Sequence, residues 1–376
     1  MIWQSYRATF FAIFSDRAVM LLLIGSAILY SFFYPAAYSG EVAERIPVVV
    51  VDNDHSATSR AFVQRVDAVQ QARIAARVSS PAEALSLMQE RRADAILYIP
   101  VGFERAILRG DQGTVALFGN GAFLLRSSTS LTGLGAALGA VGRDAAMAQA
   151  MARGAPAPSP FAVIARPLFN TREGYGSSIV PGVTFLIIQQ TMLMGMAMLA
   201  ATLREARGDH RFSPPRLLGI ALAFFTVGWG VLAYWTGFVF WFQDYPRAGA
   251  DGLTLIVSGT LFIAATVAAA LALSSLFQVR ERPVQLWIVT SLPIYFLANL
   301  SWPAEQTPHW LTLFARLLPT TPGIHLMIGT NQMGASLDEQ WPELINLALL
   351  ILLYGLIALW RLTPLNRSET APPPRR

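Results

Sequence analysis

The sequence predicts a polytopic α-helical membrane protein carrying an α/β domain outside the bilayer. Three observations point there. Of 376 residues, 54% are hydrophobic and only 14% charged, against roughly 25% charge in an ordinary soluble domain. Six runs contain no Asp, Glu or Arg: residues 18–40, 174–203, 217–243, 252–279, 283–304 and 344–360. The segment between the first two, residues 41–173, has an ordinary soluble composition with 14 Arg and 12 acidic residues.

A helix needs about 20 apolar residues to cross the hydrocarbon core. Five runs reach that length, and the sixth, at 17 residues, stands at the short end. We therefore expect transmembrane helix 1 over 18–40 and helices 2 to 6 within 174–362. Residues 1–17, with Trp3, Tyr6, Phe10, Phe11, Ile13 and Phe14, read as an interfacial amphipathic helix on the inner surface. The apolar run after Arg17 ends in Tyr34-Pro-Ala-Ala-Tyr38 and exceeds a secretory h-region, so it reads as an uncleaved anchor. Residues 317–337 are also uncharged, but Pro319, Thr320, Thr321, Pro322, Asn331 and Gln332 interrupt them. A seventh crossing would put the Arg-rich tail outside, so 303–337 is expected to form a re-entrant segment of half-helices. Residues 363–376 form the tail.

Orientation follows from Arg in the short loops. Arg7, Arg17, Arg204, Arg207, Arg211, Arg216, Arg280, Arg282, Arg361, Arg367, Arg375 and Arg376 fall on one side, and only Arg247 and Arg316 in the short loops on the other. Both termini are accordingly expected in the cytoplasm. Trp235, Trp241, Trp302, Trp310 and Trp341 fall at the outer boundary, where aromatic belts belong.

Within 41–173, Ile46–Val51, Arg73–Val78, Ala93–Ile99 and Phe161–Phe169 read as strands. Helices are expected near Ala57–Val69, from the capping box Ser80-Pro81-Ala82-Glu83, and over Ser127–Arg153. Strand–helix alternation implies a small layered α/β domain. Asp52-Asn53-Asp54-His55 has the chemistry to ligate a hard cation, but a turn with helix-capping residues is the preferred reading. Gly135-Ala136-Ala137-Leu138-Gly139 has small-residue spacing, read here as close helix packing.

The exclusions are sharp. All 28 basic residues are Arg, so the chain lacks the phosphate-binding Lys of a Walker ATPase and cannot do Schiff-base chemistry. It has no Cys, which removes disulfides, thiolate catalysis and thiolate-bound metals. Its four His show no ligand spacing. The pI of about 9.8 reflects scattered Arg rather than one basic stripe, so no nucleic-acid partner is expected. No catalytic residue, metal site or cofactor is expected in this chain. The six runs also hold no ionisable group of the kind that marks ion-coupled pathways, so energy for transport has to come from another subunit. Gln189, Gln190, Met192, Met194, Met196 and Met198 are the substrate-path candidates in the second run, with plain core packing the competing reading.

Three local segments complete the picture. Phe169-Asn170-Thr171-Arg172-Glu173 precedes Ile179-Val180-Pro181-Gly182. Leu203-Arg204-Glu205-Ala206-Arg207-Gly208 follows the second run. Trp302-Pro303, Pro308, Trp310 and Leu318-Pro319 lie before the last. In this order the whole chain resembles the permease subunit of ABC type-2 exporters, in the multidrug-efflux subgroup with a large external domain between spans one and two. It departs from that pattern at Thr171, where Pro is usual, at Leu203 in place of the first Glu, and at Asp209 in place of Thr. The resemblance implies a bacterial inner-membrane location and export of hydrophobic or amphipathic compounds. It also implies an ABC ATP-binding subunit that binds ATP and Mg, a second permease copy or paralogue, membrane lipid around the spans, and in some systems a periplasmic adaptor. Arg204, Glu205, Arg207 and Gly208 become the candidates for coupling to the ATPase. A membrane-anchored external sensor or scaffold is the alternative, although six spans exceed what an anchor needs.

Overall fold

The computed structural model describes residues 1–40, 43–109, 111–152, 169–170, 174–208, 211–247, 249 and 251–363. The chain divides into two compact units: Met1–Glu41 with Pro167–Arg376, and Val42–Arg166.

In the first unit α1 (Ile2–Ser15) is separated from α2 (Arg17–Ala37) by Asp16, whose extended backbone (φ −85°, ψ 104°) breaks the helix. The Asp16 carboxylate then caps α2, accepting from the N–H groups of Ala18 (3.1 Å) and Val19 (3.2 Å). A stripe of rings runs up α1, with Trp3–Tyr6, Tyr6–Phe10 and Phe10–Phe14 centroids 5.1, 5.8 and 4.9 Å apart.

The second unit is β1 (Ile46–Asp52), α3 (Ala57–Ala68), β2 (Ala72–Val78), α4 (Pro81–Gln89), β3 (Ala95–Ile99), α5 (Phe103–Arg109), β4 (Ala116–Gly119) and α6 (Leu124–Ala152). The sheet order is β2-β1-β3-β4, with β1 parallel to both neighbours and β4 antiparallel to β3. Alternate residues of β1 face opposite ways. Val48 and Val50 join Phe62, Val66, Leu97 and Leu134 on one side, while Val49 and Val51 join Ala84 and Ile96 on the other. Helices thus cover both faces, as a mainly parallel sheet requires, and the layered domain expected from sequence has three layers. Ser80 accepts from the Glu83 N–H (3.2 Å), so the expected cap opens α4. The short α5 and β4 lay outside the sequence-based expectation. The expected strand 161–169 falls almost wholly outside the described residues.

The first unit resumes with α7 (Tyr175–Arg207), α8 (Pro214–Phe242), α9 (Gly252–Ser274), α10 (Arg282–Leu297), the short α11 (His309–Ala315) and α12 (Thr320–Asn331), and α13 (Trp341–Leu362). Among the described residues five helices are long and apolar enough to cross a membrane: α2, α7, α8, α9 and α13. The fifth charge-free run, 283–304, delivers only the 16-residue α10, and the stretch expected to be re-entrant holds α11 and α12, of 7 and 12 residues. The physical reason is local: Asn299 takes φ +56° and Pro303 follows, so the uncharged run stops being helical at Leu297. α7 is the central helix, buried along most of its length and packed by α2, α8, α9, α10 and α12. α9 is rich in Ala, and its buried small residues let α7, α12 and α13 approach closely.

Candidate coupling site

In the last turns of α7, Thr202, Arg204 and Glu205 bind the end of α9 and the segment that joins it to α10. Arg204 is buried, and its Nη1 donates to the carbonyls of Ser274 and Phe277, the latter at 2.6 Å. Carbonyls at a helix C-terminus lack helical partners and carry negative potential, so a guanidinium is chemically matched to this end of α9. Glu205 is exposed, and its Oε1 accepts from the backbone N–H of Arg280 at 3.0 Å.

Arg280 closes the cluster. Its Nη1 and Nη2 donate to Asp16 Oδ2 and Oδ1 at 2.7 and 2.6 Å, a two-pronged pair, and Nη1 also donates to Thr202 Oγ1 at 2.8 Å. The α1–α2 break, the end of α7 and the α9–α10 loop are thereby fastened at one point. The hydrogen bonds from Arg280, more than the opposing effect of burial, hold the Asp16 carboxyl below the usual carboxylate range, and Asp16 in turn raises Arg280.

The sign of the pH effect follows. A carboxylate whose pKa is lower folded than unfolded contributes stability above the unfolded value, near 3.9, and loses it as pH falls further. Asp16→Asn cannot titrate there. The difference in melting temperature between wild type and Asp16→Asn should therefore be constant from pH 5 to 7 and close below about pH 4. A gap that widened in acid would contradict the pairing.

Among the sequence-based coupling candidates, Arg204 and Glu205 meet at this junction. Gly208 ends α7 in a conformation (φ +79°) that favours glycine, and the Arg207 side chain lies outside the described residues. Sequence reasoning missed Asp16 and Thr202 and counted Arg280 only as a topological charge. An acidic residue between two apolar helices was the available signal for the first. α1 lies side by side with α8, where Ser5 Oγ donates to the Arg216 carbonyl (3.0 Å).

The substrate-path candidates are successive turns of the central helix. Met192, Met196 and Met198 are buried in the core, Met192 filling the space over Gly228, while Met194 is half-buried. Gln189 is fully buried, and among the described residues neither of its amide atoms nor the Gln190 amide nitrogen has a hydrogen-bond partner.

In the other unit the acidic motif is spent on caps. Asp52 Oδ1 accepts from the Asp54 and His55 N–H groups, and Asp54 accepts from those of Gly102 (2.7 Å) and Glu104 (3.0 Å) at the start of α5. Among the described residues no group of three or more acidic or His side chains is placed to hold a metal ion. Gly135 faces open space and Gly139 meets only the Arg143 side chain. Among the described residues no second helix packs closely on either glycine.

Among the described residues five long apolar helices, four of them with a buried fifth, α7, at the centre, and a hydrophilic unit inserted in the sequence after the first, define a multi-pass membrane protein. The family model of the ABC-2 family transporter proteins matches residues 17–360, and the chain belongs to that family. Permeases of this family are the membrane components of transporters and work with an ABC ATP-binding subunit. No curated protein and no solved structure matches the chain significantly.

Proposed function

We propose that the chain is the permease subunit of an ATP-driven exporter that moves hydrophobic or amphipathic compounds out across a bacterial inner membrane. Both termini are cytoplasmic and residues 41–173 lie outside. Of the spans, α10 with the half-helices α11 and α12 forms the fifth crossing and the re-entrant segment. ATP and Mg are held by the separate subunit, two permease copies or this chain and a paralogue enclose the pathway, and a periplasmic adaptor is a further partner in some assemblies. The observation that carries the reading is the junction of Asp16, Thr202, Arg204, Glu205 and Arg280. Motion driven by ATP has to enter through cytoplasmic segments, and this junction ties three of them into one handle.

Glu205 gives the clean test, because its exposed bond is worth only about 0–1 kcal/mol to stability. Glu205→Ala should keep wild-type abundance and melting temperature yet reduce efflux several-fold with the ATPase uncoupled or lost, and Arg207→Ala should behave alike. Arg211→Ala should be mild. Wild-type efflux in both of the first two variants would leave the loop a topology signal only. Copurification of an ATP-binding subunit supports the exporter, whereas a lone chain with ligand-dependent external contacts would support the sensor.

The absence of Cys makes the topology directly measurable. Asn120→Cys should react with an impermeant thiol reagent in intact cells. Asp209→Cys, outside the described residues, should react only after the inner membrane is opened. The reverse pattern would overturn the orientation.

A further inference from the structure

A cavity of about 480 Å³ lies in the membrane-spanning unit among α7, α9, α10, α11, α12 and α13. Its lining is mostly carbon, with Leu193, Leu286, Trp287 and Ile294 prominent, and its polar groups are few. Gln189, midway along α7, is one of them: it is fully buried, and among the described residues both its amide nitrogen and oxygen lack hydrogen-bond partners. An unpaired amide is costly where no water competes for it, so a group that supplied a donor and an acceptor there would be bound. Arg361, in the last turn of α13, is the one charged side chain among the described residues that line the cavity, and no acidic residue opposes it.

We propose that this cavity binds an amphipathic anion, with its apolar body against Trp287 and Leu286, a polar group on the Gln189 amide and its anionic head toward Arg361. The proposal rests on the permease reading for its purpose, whereas binding itself is a property of this chain alone. A phospholipid of the bilayer and a free anionic amphiphile share this chemistry.

The test uses Thr290→Cys, a cavity-lining position, in the otherwise Cys-free full chain in phosphatidylcholine nanodiscs, modified with N-ethylmaleimide. Leu286→Cys serves as a second reporter. Dodecyl phosphate should slow modification at least fivefold, while dodecyltrimethylammonium at the same concentration should change it less than twofold. A dodecyl-length phosphate carrying a secondary amide within its chain should protect at lower concentration than dodecyl phosphate in the wild type but not in Gln189→Leu, and Arg361→Gln should remove the preference for the anion. In nanodiscs containing phosphatidylglycerol, protection already present without added amphiphile identifies the lipid as occupant. Protection that still requires dodecyl phosphate identifies the free compound. Equal protection by dodecyl phosphate and dodecyltrimethylammonium, or an advantage of the amide-bearing phosphate that persists in Gln189→Leu, would overturn the site. No nucleotide or second subunit enters this assay. Protection without ATP-driven efflux would therefore count against the exporter reading alone, and efflux without protection against the cavity alone.

Discussion

Arg280→Ala is expected to destabilise the membrane-spanning unit by about 2–4 kcal/mol, near the cost of breaking a buried ion pair from one side. The reason lies in what is left behind. The Asp16 side chain is only 14% exposed and that of Arg280 26%, so removing the guanidinium strands a carboxylate with two backbone N–H donors and little water. Thr202 Oγ1 loses its donor at the same time. Arg280→Lys should recover part of the loss, since an ammonium restores the charge but not the two-pronged geometry. Asp16 separates charge from capping. Asp16→Asn keeps an equally good helix cap and should cost about 1 kcal/mol, whereas Asp16→Ala also loses the cap, worth a further ~1 kcal/mol. Unfolding followed by tryptophan fluorescence in nanodiscs gives the ranking. An Arg280→Ala variant within about 0.5 kcal/mol of wild type would show that the junction is solvated and not a mechanical tie. Because Glu205 binds the backbone of residue 280 rather than its side chain, the Glu205 and Arg280 losses should be nearly additive in stability.

What the sequence made legible is what the bilayer or local chemistry dictates. Long uncharged runs mark α2, α7, α8, α9 and α13 because lipid tolerates no exposed charge there. The Val-rich β1 and the Ser80 cap of α4 were equally plain, each being fixed by residues within a few positions. The run 283–304 shows the boundary of that logic. Absence of charge says where a chain tolerates lipid, whereas helix length is set by backbone, and Asn299 and Pro303 end α10 early. α5 and β4, of seven and four residues, are too short for periodicity to register.

The site was half legible for a related reason. Arg204 and Glu205 stood out through the segment they occupy, but their partners are set by folding. Asp16 and Arg280 are 264 positions apart, and counting charges on each side of a membrane cannot pair them. Of the Met residues around Gly195, Met192, Met196 and Met198 are buried in the core, in line with the packing reading, and Gln189, on the same helix, lines the large cavity.

Gly219 should be the least replaceable small residue on α8. A Cβ there would stand 2.4 Å from the Ile2 carbonyl oxygen, 2.8 Å from Ser5 Cβ and 2.9 Å from the Tyr6 backbone nitrogen. Two of those three atoms are backbone, so no side-chain rotation relieves the clash and α1 itself has to move. Overpacking of this kind costs about 1–3 kcal/mol for one methyl, and Gly219→Leu should separate α1 from the first half of α8 altogether. Gly230, on the same helix, is the control, because a Cβ there meets nothing within 4 Å. Gly230→Ala should stabilise α8 by about 0.5–1 kcal/mol, the ordinary gain from replacing glycine inside a helix. Local detachment is readable through Ser5→Cys, whose half-buried position faces α8. Its reaction with N-ethylmaleimide should be at least tenfold faster when Gly219→Ala is added and unchanged when Gly230→Ala is added. Since Asp16 follows directly on α1, a displaced α1 should also loosen the pair with Arg280, and Gly219→Ala should reduce efflux even though residue 219 lies far in sequence from Glu205. Equal thiol reactivity and equal melting temperature in the Gly219→Ala and wild-type backgrounds would mean that α1 does not rest on α8, and that the Asp16–Arg280 junction acts without it.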